Sequence, residues 1–204
     1  VTYVADITKS GTALNSYVQT AAFSPDGSTL VLGGSFIGRA SIFSVSGTTV
    51  TYVADITKSG TALNSFVETA AFSPDGSTLV LGGGFSGNAS IFSVSGTTVT
   101  YVADITKSGT VLTKGVLTAA FSPDGSTLVL GGGFSGNASI FSVSGTTVTY
   151  VADITKSGTA LNSYVQTAAF SPDGSTLVLG GSFIGRASIF SVSGTTVTYV
   201  ADIT

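Results

Sequence analysis

Hydrophobic and polar residues alternate along this chain with a period of two, which is the period of β-strands and not of helices. "VQTAAFS" (18–24) runs into "SPDG", where proline and glycine occupy the second and fourth positions of a type I turn. "STLVLGG" then forms a nearly continuous apolar run, which is typical of a strand buried on both faces. "ASIFSVS" (40–46) and "VTYVADIT" (50–57), joined by "SGTT", complete a set of four predicted antiparallel strands.

The same four strands recur every 49 residues, four times in the 204 residues of the chain. Four short antiparallel strands joined by tight turns and repeated at a fixed spacing predict an all-β fold, a β-propeller with four-stranded blades. We predict one repeat domain over residues 1–204, with a surplus outer strand at 1–8 and blades at 9–57, 58–106, 107–155 and 156–204. The surplus strand arises because "VTYVADIT" both opens and closes the chain.

"AFSPDGSTLVLGG" followed by "ASIFSVSG" resembles the blades of WD40-like β-propellers, and the likeness covers the whole chain one blade at a time. The near-identity of the units indicates recent amplification or design. The chain has no Trp-Asp pair, no Gly-His pair and no histidine. The polar network that such pairs supply in the resembled family must therefore be missing or replaced.

Composition narrows the classes of function. A net charge of −3, evenly spread, argues against binding to nucleic acid. Apolar runs stop after a few residues, so we expect no membrane insertion. The absence of cysteine excludes disulfides and thiolate chemistry. Low charge with abundant glycine, serine and threonine is typical of extracellular-type or engineered β proteins.

The missing histidine and cysteine also lead us to expect a protein that is not an enzyme, with no catalytic residue, no cofactor and no metal. Asp26 and its copies in "SPDG" are expected to form turns, because this sequence lacks the succession of oxygen ligands that calcium requires. Asp6 lies three residues before Lys9, and we expect the two to form a solvated ion pair.

The units differ from one another at two short stretches only, residues 13–19 and 35–39 and their counterparts. In an antiparallel blade both stretches lie at the same end of the sheet, so the variable residues are predicted to form one recognition face. The alternative explanation for this variation is that loops tolerate substitution without any ligand. The candidate ligand-binding residues are Asn15, Tyr17, Gln19, Arg39, Asn64, Phe66, Glu68, Asn88, Lys114, Asn137, Asn162, Tyr164, Gln166 and Arg186.

These observations predict a non-enzymatic propeller scaffold that binds a glycan or a protein on the variable face. The alternative is an amplified or engineered symmetric propeller with no evolved ligand. Blades of this kind usually close in rings of about six to eight. We therefore expect the chain's partner to be a second copy of itself, with two chains forming one eight-bladed ring.

Overall fold

A computed structural model of the chain describes residues 3–14, 17–35, 40–63, 65–84, 89–112, 115–133, 138–161, 164–181 and 187–203. These residues form four four-stranded antiparallel sheets and four two-stranded hairpins. No helix within the described ranges is long and apolar enough to cross a membrane. The predicted all-β fold, built from four-stranded propeller blades at a 49-residue spacing, is confirmed.

Each blade consists of four strands that are consecutive in sequence. The first blade contains β3 (Val18–Phe23), β4 (Thr29–Gly34), β5 (Ala40–Ser46) and β6 (Thr49–Asp55). The second contains β9 (Val67–Phe72), β10 (Thr78–Gly83), β11 (Ala89–Ser95) and β12 (Thr98–Asp104). The third contains β15 (Val116–Phe121), β16 (Thr127–Gly132), β17 (Ala138–Ser144) and β18 (Thr147–Asp153). The fourth contains β21 (Val165–Phe170), β22 (Thr176–Gly181), β23 (Ala187–Ser193) and β24 (Thr196–Asp202).

A two-stranded hairpin precedes each blade, and we call it the crossover hairpin. The alternation of apolar and polar residues did not predict this hairpin, although the Ser-Gly pair of its turn recurs in every unit. Ser10 and Gly11 both have positive φ, at 50° and 78°, which is the backbone of a tight two-residue hairpin turn. The hairpin strands are β1 (Thr8–Lys9) and β2 (Thr12–Ala13), β7 (Thr57–Lys58) and β8 (Thr61–Ala62), β13 (Thr106–Lys107) and β14 (Thr110–Val111), and β19 (Thr155–Lys156) and β20 (Thr159–Ala160).

The run "TLVLGG" is buried on both sides, as its lack of alternation predicts. Its leucines point towards the preceding blade and its valine towards the following one. Val31 of the first blade packs in one cluster with Leu79 and Leu81 of the second. The core is therefore a series of equivalent layers between successive blades rather than one central mass.

The blades fan out from their first strands, which we call the inner strands. The inner strands of successive blades contact one another, from the first blade through to the fourth. Among the described residues, no comparable contact joins the fourth blade to the first. The chain is thus an open arc of four blades with a free sheet face at each end.

The two copies of "VTYVADIT" have different structures. The C-terminal copy supplies β24, the outer strand of the fourth blade. In the N-terminal copy, residues 3–7 belong to no strand, and Tyr3 and Val4 are exposed. Only Ile7 of this segment packs against the first blade, beside Leu30 and Leu32.

Lys9 pairs with Asp55 and not with Asp6, so the ion pair expected from sequence spacing is wrong. The Lys9 Nζ lies 2.6 Å from the Asp55 carboxylate, and the Ser41 hydroxyl donates to the same carboxylate at 2.7 Å. Because the crossover hairpin lies beside the end of β6, this pair ties the hairpin to the outer strand of its own blade. This cluster of lysine, aspartate and serine occurs in all four blades. It is the polar network of a blade that has neither a Trp-Asp nor a Gly-His pair.

Candidate functional site

A β-bulge interrupts the start of every inner strand, at the one position of that strand where the units differ. In the second blade Thr69 pairs with Gly82 and Val67 with Gly83, so that Glu68 is the extra residue. The equivalent residues define what we call the bulge positions: Gln19, Glu68, Leu117 and Gln166. Bulges re-aim side chains and are frequent beside active sites.

The second glycine of "LGG" makes this bulge possible. A Cβ on Gly83 would lie 2.1 Å from the Phe66 carbonyl oxygen, which is far inside van der Waals contact. The same carbonyl accepts a hydrogen bond from the Gly84 N–H at 3.1 Å. The close approach of these two backbones therefore fixes the position of Phe66, the residue just before the inner strand. It thereby also fixes the backbone at the bulge that follows.

An aromatic side chain precedes the bulge in three of the four blades. Tyr17, Phe66 and Tyr164 are 81%, 46% and 55% exposed. These rings are therefore open to solvent and are not packed within the start of the inner strand. The third unit has Gly115 at this place and Leu117 at the bulge.

The bulge positions lie at the same end of successive inner strands, and the strand of Glu68 contacts those of Gln19 and Leu117. Gln19 and Gln166 are exposed, and Glu68 is half-buried. Glu68 is the single glutamate of the chain. The site therefore offers carboxamide donors and acceptors on two blades, one carboxylate that can accept a proton, and aromatic surfaces that can stack on a sugar ring.

The other candidate ligand-binding residues lie outside the described residues. They are Asn15, Arg39, Asn64, Asn88, Lys114, Asn137, Asn162 and Arg186. Their part in recognition stays a prediction. Within the described ranges, no three histidine, cysteine, aspartate or glutamate side chains come close enough to hold a metal ion.

The opposite end of the blades carries the invariant turns. Two clefts, of about 460 and 250 Å³, lie there between the "SPDG" turns of adjacent blades. The carboxylate of Asp173 accepts hydrogen bonds from the Ser171 hydroxyl at 2.5 Å and from the Ser175 N–H at 3.0 Å. These bonds lower its pKa to about 2. The predicted role of these aspartates in turn formation is confirmed, and their oxygens are already engaged within their own turns.

Comparison with solved structures supports the fold. The chain is similar to a proposed 6-phosphogluconolactonase from Bacteroides uniformis, with a TM-score of 0.73 and 18% identity over 90% of this chain and 53% of that one. It is similar to a periplasmic gluconolactonase from Pseudomonas aeruginosa, with a TM-score of 0.64 and 18% identity over 92% and 54% of the two chains. It also matches a chain of the mitotic checkpoint complex, with a TM-score of 0.64 and 23% identity over 88% and 52%.

The chain thus spans about half the length of the structures that it matches. No protein-family model and no curated protein sequence matches it. Identities of this size show the fold alone, a propeller assembled from repeated four-stranded blades.

The expectation of a non-enzymatic scaffold is wrong in the light of this comparison. Several structures that share this blade arrangement are named as lactonases, so the arrangement occurs in enzymes and does not support a non-enzymatic scaffold. Absence of histidine and cysteine removes two kinds of catalytic group, but a lactone is an ester, and a carboxylate can serve as the general base for its hydrolysis.

Proposed function

We propose that this chain hydrolyses a lactone of a sugar acid at the bulge end of its inner strands, with Glu68 as general base. The observation that carries the proposal is the position of Glu68. This single glutamate lies on the bulge of an inner strand, two residues after the exposed Phe66. The names of the structural neighbours supply the class of substrate.

Glu68 carries out both proton transfers that this reaction needs. The Glu68 carboxylate takes a proton from a water molecule as the water oxygen attacks the lactone carbonyl carbon. The bond between that carbon and the ring oxygen then breaks, and the ring oxygen receives the proton from Glu68. The products are one carboxylic acid and one hydroxyl group, and no redox partner is required.

Residues of the first and second blades contribute to recognition of the substrate. The Gln19 amide lies on the adjacent inner strand and can donate a hydrogen bond to the oxygen that becomes negative during attack. Phe66 offers an apolar surface for the sugar ring. Arg39 and Arg186, from the sequence alone, are candidates for an anionic substituent such as a phosphate.

The chain contains its own matched variant for testing Glu68. Glu68→Gln gives the second unit the residue that the first and fourth units already have at this position. We expect the rate of 6-phosphoglucono-δ-lactone hydrolysis above the uncatalysed rate to fall about 10²–10⁴-fold, the usual contribution of a general base. Proton release in a weakly buffered indicator assay measures it, and glucono-δ-lactone tests the need for the phosphate.

Leu117→Gln is the control, because it places the same new residue at the bulge of the third blade and removes no carboxylate. We expect it to retain the activity. Wild-type protein that does not accelerate hydrolysis of either lactone contradicts the proposed reaction. Full activity of Glu68→Gln contradicts the assignment of the base.

A further inference from the structure

The two ends of the blade arc expose apolar faces that are covered at every internal boundary. Val18 is 44% exposed at the start of the first blade, whereas Val67, Val116 and Val165 are fully buried at the equivalent place. Phe23, on the same face, is 57% exposed. We call this face of the first blade the leading face.

The fourth blade has apolar residues that are less buried on its opposite face, where no further blade follows. Val178 and Ile189 are half-buried, while their equivalents in the first three blades are fully buried against the next blade. We call this face of the fourth blade the trailing face. Each internal boundary joins a trailing face to a leading face, so the two ends of the chain are the two halves of one more such boundary.

The leading and trailing faces also carry complementary hydrogen-bond donors and acceptors. At the first internal boundary the Thr20 hydroxyl accepts a hydrogen bond from the Ala70 N–H at 3.1 Å. At the second, the Thr69 hydroxyl accepts one from the Ala119 N–H at 3.2 Å. The equivalent groups at the ends are the Thr167 hydroxyl and the Ala21 N–H, and both residues are exposed.

We propose that the trailing face of one chain binds the leading face of a second copy, and that two copies close a ring of eight blades. The arc superposes on about half of longer propeller chains with a TM-score of 0.73, so its rotation from blade to blade is that of a ring about twice its size. A half-turn rotation joins both pairs of ends at once and leaves no free face. In such a ring the inner strands of both chains enclose the centre, so that the bulge positions of all eight blades surround it. In a single chain they form only an arc of four.

Molar mass in solution tests the assembly, independently of the proposed hydrolysis. We expect light scattering to give twice the chain mass of 20.2 kDa for the wild type. Val18→Asp places a charge in the new boundary at a residue that is exposed in the single chain, and we expect the mass to fall to 20.2 kDa. Val102→Asp is the matched control, because Val102 is 41% exposed although its blade has a neighbour on each side. It should remain a dimer.

A crosslink distinguishes the two-copy ring from other assemblies. The chain has no cysteine, so the double variant Ala21→Cys, Thr167→Cys carries thiols only at the two ends. A short bismaleimide should convert it to a covalent dimer on a denaturing gel. A product of chain mass crosslinked within itself would show a closed four-bladed ring, and a ladder of higher masses would show an open polymer.

Either of those products overturns the proposal, as does a wild-type protein that is monomeric and is not crosslinked. Circular dichroism of each variant establishes that the blades are folded before the masses are compared. Activity is not a readout here, so a dimer that hydrolyses no lactone supports the assembly and counts only against the proposed reaction.

Discussion

Lys58 illustrates how one side chain connects three parts of a blade. Its Nζ lies 2.6 Å from the Asp104 carboxylate and 5.5 Å from the centre of the Tyr101 ring. The Ser90 hydroxyl donates to the same carboxylate at 2.8 Å. Burial, and then the charge of Asp104, raises the pKa of Tyr101. Because the ion pair is mostly shielded from water, it contributes more than a surface pair does.

Replacing Lys58 with methionine keeps the length of the side chain and removes its charge. We expect the free energy of unfolding to fall by about 1.5–3 kcal/mol, the range for a hydrogen bond to a charged group. The double variant with Asp104→Asn should recover part of this loss, since it no longer leaves a carboxylate without its cation. Urea denaturation measures both changes. A double variant less stable than the sum of the two single changes would contradict this account.

At the scale of the strand, the bulge shows what sequence alone could and could not predict. Alternation, the "SPDG" turn and the 49-residue spacing were enough for the four strands and their order. The bulge was not predictable, because an extra residue in one strand is defined only by its pairing with Gly82 and Gly83. The partner of Lys9 was missed for a similar reason, since Asp55 is 46 residues away along the chain. The number of units, four against the about six to eight of a usual ring, predicted that the chain would not close alone, whereas no residue in the repeated strands marks which sheet faces are left open.

Two glycine variants of the second blade separate close approach from backbone conformation. Gly83→Ala would place a methyl group 2.1 Å from the Phe66 carbonyl oxygen, so we expect a loss of about 3 kcal/mol or more, with the bulge displaced. Gly96 has a φ of 57° and no atom within 4 Å of an added Cβ. Gly96→Ala should cost only about 1 kcal/mol, from the left-handed backbone. Urea denaturation measures the two losses, and equal losses would show that the bulge tolerates a side chain.

At the scale of the whole molecule, the repeated ends create a competition for one place. At internal boundaries Ile56, Ile105 and Ile154 are buried between two blades. Ile7 occupies the equivalent place against the first blade, while Ile203 at the other end is 47% exposed. In a two-copy ring, Ile7 of one chain and Ile203 of the other are therefore alternatives for the same position at each junction.

Deleting residues 1–7 removes this competition and leaves Ile203 as the only isoleucine that can fill the junction. Ile203 follows β24 as Ile56 follows β6. We therefore expect the truncated chain to remain a dimer and Ile203 to become buried against Leu30 and Leu32 of the partner chain, where Ile7 packs in the full-length chain. Nuclear Overhauser contacts between methyl groups of differently labelled chains would detect this directly, and light scattering would report the mass. A truncated chain that is folded but monomeric would show instead that the N-terminal copy of "VTYVADIT" seals the junction, and that the two copies are not interchangeable.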